Sequence, residues 1–240
     1  MDQIADLLPR FLGPWDLAAL AVFFGCLIGM TRLVEHSPEN RPSTSQMMAF
    51  YRRRWMNEVP NRSNRVVDTQ LLVALRNGSA FFASGTMIAI GGIAALLGQT
   101  ERLVDVAEDF TGDFALTPGA SQIEWEAKLL FLLALMVAAF LKFVWSHRLF
   151  GYCAILMGAT PENGGAEETA AAVERAAQLN ISAGRAFNRG LRVVYFGLAG
   201  LAWFLGPLAL ALGSLLTAAV IYRREFRSDS RKALLAGWKP

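Results

Sequence analysis

Four apolar runs, at residues 15–34, 78–98, 127–146 and 191–222, are separated by polar connections. A helix needs about 20 apolar residues to cross roughly 30 Å of hydrocarbon, and each run reaches that length. The runs are rich in Leu, Ala, Ile and Val and lack the two-residue alternation of an outer-membrane barrel strand. Backbone groups in lipid must satisfy one another, which a helix does within one segment. The pattern predicts an all-α, polytopic transmembrane helix bundle with four spans, forming a single membrane domain over residues 1–240.

The polar connections predict further helices. Residues 1–13 space Ile4, Leu7, Leu8 and Phe11 as a short helix at the membrane surface, ended by Gly13-Pro14. Trp15 opens the first span at the headgroup boundary. Ser43, Thr44 or Ser45 caps an amphipathic helix running to Pro60, with Met47, Met48, Tyr51 and Trp55 on one side and Arg52, Arg53 and Arg54 beside it. Residues 62–98 read as one long helix whose first turns stand outside the bilayer. An Ala-rich helix starts near Glu167 and runs through Asn188 toward the fourth span.

Charge orients the spans. Connections 35–77 and 148–192 hold seven and five Lys or Arg, whereas 99–126 holds seven acids and one base, Arg102. By the positive-inside rule the first two are cytoplasmic and the acidic one periplasmic, in a bacterial inner membrane. The tail conflicts with four spans: residues 223–240 carry six basic groups yet would lie outside. The 32-residue run 191–222, interrupted at Gly206-Pro207, reads as a single kinked helix. Its alternative is a re-entrant hairpin that returns the tail to the cytoplasm. The N-terminus carries Asp2 and Asp6 instead of a basic leader, so the first span reads as a retained anchor.

A shift of 116 positions places Arg32 on Arg148 and Arg76 on Arg192, and sets Gly91-Gly92 almost opposite Gly206-Pro207. This suggests a parallel internal repeat.

Candidate chemistry gathers at the cytoplasmic boundary. Arg62, Arg65, Asp68, Arg76 and Asn77 lead into the second span, and Arg65 and Asp68 are spaced to pair on one helix face. Arg185, Asn188, Arg189 and Arg192 form a stripe leading into the fourth. Packed together, the stripes would make a basic cavity for a phosphate or carboxylate, which guanidinium forks match bidentately. The plainer reading is that these arginines, with Arg52, Arg53, Arg54 and Trp55, meet anionic headgroups. Lys142 is the strongest candidate for a buried charge, within reach of the interface if its stem snorkels. His36 and His147 near span ends do not form a haem pattern. Glycines 85, 91, 92, 197, 200 and 206 read as sites of close helix contact. Cys26 and Cys153 read as apolar packing residues, with no CxxC or Cys/His metal spacing. No P-loop, G-x-S-x-G or H-E-x-x-H motif occurs. No catalytic residue, metal or cofactor is expected, and a net charge of +3 on a membrane-tethered chain is too small to suggest a nucleic-acid partner.

The run YRRRWMNEVPNRSNRVVDTQLLVALRNGSAFFASGTMIAIGG and the tail motif YRREFRS resemble the bacterial and plant membrane proteins called domain of unknown function 599. The resemblance covers about residues 15–230. It implies an integral membrane protein with several spans and carries no activity, cofactor or catalytic residue. Two functions are consistent with these readings. One is a non-catalytic structural or accessory protein that interacts with lipid, a larger membrane complex or its own copies. The other is a small transporter or channel with an Arg-lined cytoplasmic anion site.

Overall fold

The structure, a computed structural model, describes residues 13–104, 122–161 and 165–238. The surface helix expected over 1–13, save for Gly13, and the acids Asp105, Glu108, Asp109 and Asp113 lie outside the described residues. The elements are helical: α1 (Pro14–Glu35), α2 (Thr44–Glu58), α3 (Val66–Leu97), α4 (Gln122–Gly158), α5 (Ala166–Gly200), a 3-10 turn (Leu201–Leu205), α6 (Pro207–Phe226) and α7 (Asp229–Leu235). No strand occurs among the described residues.

The helix starts follow from local chemistry. Pro14 opens α1, where its missing N–H costs nothing. The Asp16 carboxylate then accepts the Gly13 N–H at 3.1 Å. Ser43 is the N-cap of α2 and accepts the Gln46 N–H at 3.1 Å. Asn64 Oδ1 accepts the Val66 N–H at 2.9 Å, so α3 begins at Val66 and not at residue 62 as the pattern suggested.

α1, α3 and α4 are long and apolar enough to cross a membrane, by length and composition. α4 has 37 residues, about 55 Å at 1.5 Å per residue, and so outruns a hydrocarbon core by several turns.

The expected fourth span is not one kinked helix. α5 ends at Gly200, the 3-10 turn follows, and Gly206 takes φ 116° and ψ 168° before Pro207 opens α6. A side chain tolerates that backbone poorly, so glycine is required there. A β-carbon on Gly213 would lie 3.5 Å from both the Ala199 carbonyl and Ala202 Cβ. In a continuous helix residues 199 and 213 would stand about 21 Å apart. The run is therefore a helical hairpin.

The hairpin also removes the internal repeat. α3 passes uninterrupted through Gly91-Gly92, whereas the matching region of the second half turns back on itself. α2 has no separate counterpart among the described residues, because the corresponding stretch from Ala166 onward belongs to α5. Arg76 is exposed while Arg192, its supposed equivalent, is buried.

The chain forms two compact units whose boundaries fall inside α1, α3, α4, α5 and α6. The first comprises Met1–Thr31, Thr86–Ala138 and Arg192–Tyr222. Its core is aromatic: Phe23 contacts Phe131 and Phe196 edge-on at 5.2 and 5.5 Å, and Phe131 meets Trp203 at 5.4 Å. Gly197 and Gly200 admit Met136 and Leu132, so these glycines do serve close contact. At Gly85, Gly91 and Gly92 a β-carbon would meet nothing within 4 Å, so these do not.

The second unit comprises Arg32–Gly85, Ala139–Leu191 and Arg223–Pro240. Met56, Val59, Leu72, Phe150, Cys153, Met157, Ala176 and Ala177 make its core, drawn from α2, α3, α4 and α5. Phe82 stacks on Phe143 at 5.4 Å, and Phe187 meets both edge-on. A β-carbon on Gly190 would come within 2.7 Å of Phe143, so this ring depends on glycine. The Ser79 hydroxyl lies 3.1 Å from that of Ser146, which donates to the Ala183 carbonyl at 2.9 Å, tying three helices together.

Candidate functional site

The second unit is strongly basic. Its described residues hold 18 Lys and Arg against 9 Asp and Glu, while those of the first hold 3 against 4. α2 makes contacts with several of these charged groups.

At the N-terminus of α2, Glu225 from the end of α6 accepts the Ser45 N–H at 3.0 Å and the Ser45 hydroxyl at 2.9 Å. The Thr44 hydroxyl donates to the Glu225 carbonyl at 3.1 Å. A carboxylate at a helix N-terminus meets unpaired N–H groups and the positive end of the dipole. Asn188 of α5 donates to the same Ser45 hydroxyl at 3.4 Å. The tail is held further along: Tyr51 donates to the Leu234 carbonyl at 3.2 Å, Arg231 Nε to the Pro42 carbonyl at 3.0 Å, and Phe50 meets Trp238 edge-on at 5.1 Å. The basic tail therefore lies against the basic α2.

The central arginines take separate partners. Arg53, exposed, pairs with Glu174 of α5 at 3.0 Å. Arg54 is exposed. Trp55 Nε1 donates to Asp68 Oδ1 at 2.7 Å, and Arg62 bonds the same oxygen. Asp68 is fully buried and its Oδ2 has no hydrogen-bond partner among the described residues. The expected Arg65–Asp68 pair is absent. Arg65 precedes the first turn of α3 and reaches the Thr160 carbonyl at 3.3 Å instead.

Further along α3, Arg76 Nε donates to His147 Nε2 at 3.1 Å, and His147 Nδ1 lies 3.2 Å from the Arg76 carbonyl. Arg must donate, so Nε2 accepts and Nδ1 carries the proton. Asn77 and Arg185 are exposed and Lys142 is half-buried. Arg189 makes a bidentate pair with Glu35 at the end of α1, with Nε at 2.8 Å from Oε1. Arg192 belongs to the first unit and is buried.

Arg52 stands apart. Its guanidinium enters between α4 and α5, where Nη1 donates to the fully buried Asn180 Oδ1 and the Phe150 ring lies 5.6 Å from its centre. Gly184 lets it approach: a β-carbon there would be 3.0 Å from Nε. Burial pushes Arg52 below its ordinary pKa, opposed by neighbouring Cys153.

An open groove of about 620 Å³ in the same unit is lined by Asn57, Pro60, Asn61, Ala166, Thr169 and Glu174, with none of the candidate arginines on its walls. No group of three His, Cys, Asp or Glu suited to a metal occurs among the described residues.

Sequence reasoning missed Lys128 in the first unit. It is 6% exposed, with Nζ 5.9 Å from the centre of the Trp203 ring, whose indole N–H donates to Asp16 at 2.7 Å. Among the described residues Lys128 is the deeply buried lysine, and Lys142 is half-buried. Glu124, four residues earlier, disguises Lys128 as an ordinary surface pair. Glu35 and Glu225 were also missed, because span-end carboxylates have no spacing signal until their helices meet.

These features define an all-α protein with three helices able to span a membrane and one strongly basic unit. The chain belongs to the family described as protein of unknown function, DUF599, whose pattern matches residues 18–230. No curated protein and no solved structure matches it.

Proposed function

We propose that this is a multi-pass inner-membrane protein whose basic unit lies at the cytoplasmic leaflet and binds anionic lipid headgroups, serving a structural or accessory and non-catalytic role. The observation that carries this reading is the charge separation between units, 18 basic against 9 acidic described residues in the second. Lys and Arg retain their segments on the cytoplasmic side, and each near an anionic surface contributes about 1 kcal/mol of attraction. Five crossings follow if both legs of the α5–α6 hairpin penetrate the bilayer. The N-terminus is then periplasmic with the acidic connection 99–126, and the tail is cytoplasmic. On this reading the basic tail accords with the positive-inside rule, as it does not with four spans.

Two measurements test the proposal. A fluorescent reporter fused after Pro240 folds and fluoresces in the cytoplasm, and an export-dependent phosphatase there stays inactive; the reverse pattern overturns the topology. Protein extracted with native lipid retains phosphatidylglycerol in excess over zwitterionic lipid, and the excess falls with added salt. Equal retention of both lipids would defeat the headgroup reading.

A further inference from the structure

Three exposed arginines of the second unit have carboxylate partners, whereas the half-buried Arg52 has none among the described residues. Arg53 has Glu174, Arg62 has Asp68 and Arg189 has Glu35. Arg52 has no carboxylate within ion-pair distance among the described residues, and its hydrogen-bond acceptor is the neutral Asn180. An enclosed cation without an anion is unfavourable, and a stable fold ordinarily supplies a partner. Guanidinium has five N–H donors, of which Asn180 accepts from one nitrogen. No Arg52 nitrogen is among the described side-chain atoms that are both sealed from solvent and unbonded, so its remaining donors are not shut off. The slot is shaped for the fork, with the Phe150 ring on one side and the bare Gly184 backbone against Nε.

We infer that Arg52, set by Asn180, Phe150 and Gly184, is the anchor of an oxyanion site in the α2–α4–α5 seam, binding the phosphate of an anionic lipid headgroup or of a soluble phosphate compound. The site deepens the lipid reading above and rests on it for the headgroup source alone. A guanidinium presents two parallel N–H donors to two phosphate oxygens and an ammonium has no such planar fork, so the site discriminates Arg from Lys.

The test uses the full-length protein in detergent. Native mass spectrometry counts phosphatidylglycerol retained after delipidation, and calorimetry titrates inorganic phosphate into lipid-depleted micelles. Variants are Arg52→Gln, Arg52→Lys and Gly184→Ala, whose methyl would press on Nε. The control is Arg175→Gln, an exposed position with the same loss of charge. The expected result is a single saturable ligand whose affinity falls at least tenfold in Arg52→Gln, several-fold in Arg52→Lys and Gly184→Ala, and not at all in Arg175→Gln. Loss confined to phosphatidylglycerol assigns the ligand as a headgroup; loss of inorganic phosphate binding assigns a soluble oxyanion. Gly184→Ala keeps every charge and guards against misfolding of Arg52→Gln. If neither ligand depends on Arg52, the site is overturned, while bulk enrichment of anionic lipid would still support the basic face. If wild type shows no such enrichment yet binds phosphate through Arg52, the site stands and the lipid reading falls.

Discussion

Asp68 shows how much a single carboxylate can organise. It is fully buried, takes the Trp55 indole N–H and Arg62 on one oxygen, and joins α2, the following turn and α3. Asp68→Ala strands two donors and is expected to cost about 1–3 kcal/mol, toward the lower end because hydration relieves the exposed partner. Arg62 is that partner, with 42% of its side chain accessible. Asp68→Asn keeps an acceptor for Trp55 and costs less. Thermal unfolding in detergent ranks the two, and equal midpoints for Asp68→Ala and wild type would contradict the role. Sequence spacing singled out Asp68 but assigned it to Arg65, because i,i+3 spacing presumes a helix that has already begun. The Asn64 cap starts α3 after Arg65 and leaves Arg62 free to fold back.

For the elements, the decisive residues are glycines, and they differ in kind. Gly206 holds a left-handed backbone at the hairpin tip, so Gly206→Ala is expected to destabilise by about 1–3 kcal/mol. Its φ of 116° leaves no relaxed alternative for a side chain. Gly190→Ala drives a methyl into the buried Phe143 ring. The overpacking is expected to cost about 1–3 kcal/mol, and Phe143→Leu should relieve part of it. Gly91→Ala meets nothing within 4 Å and is expected to be neutral or stabilising by about 0.5–1 kcal/mol through helix propensity. A thermal-shift series across the three distinguishes these cases, and a uniform penalty would refute the assignment. Glycine in an apolar run looks the same in sequence whether it faces a ring, a turn or open space. For this reason the close-contact reading held at Gly197 and Gly200 and failed at Gly85, Gly91 and Gly92.

At the scale of the whole molecule, the end of the chain is clasped to α2 within the second unit. Glu225 caps that helix, while Tyr51, Phe50 and the Pro42 carbonyl hold α7 and Trp238. Glu225→Ala removes the carboxylate contacts to Ser45 and keeps the backbone carbonyl contact to Thr44. The expected result is tail opening without loss of the spanning helices. Limited trypsin digestion should cut at Arg227 or Arg231 several-fold faster in this variant, with unchanged helical circular dichroism. Cleavage at the wild-type rate would show that the aromatic contacts suffice.

Hydrophobic run length, helix punctuation and the uneven placement of Lys and Arg were legible in the chain itself. They determined an all-helical architecture, a helix capped at Ser43, Thr44 or Ser45, the long Ala-rich approach of α5 and the basic character of the connections. These properties depend on residues near one another in sequence, so local spacing suffices to state them. Tertiary structure alone decided that residues 191–222 turn back, that Asp68 serves Arg62 and Trp55, and that Arg52 enters a seam without a carboxylate. Each of these turns on which distant groups come within a few ångströms, a property of packing that no spacing along the chain encodes.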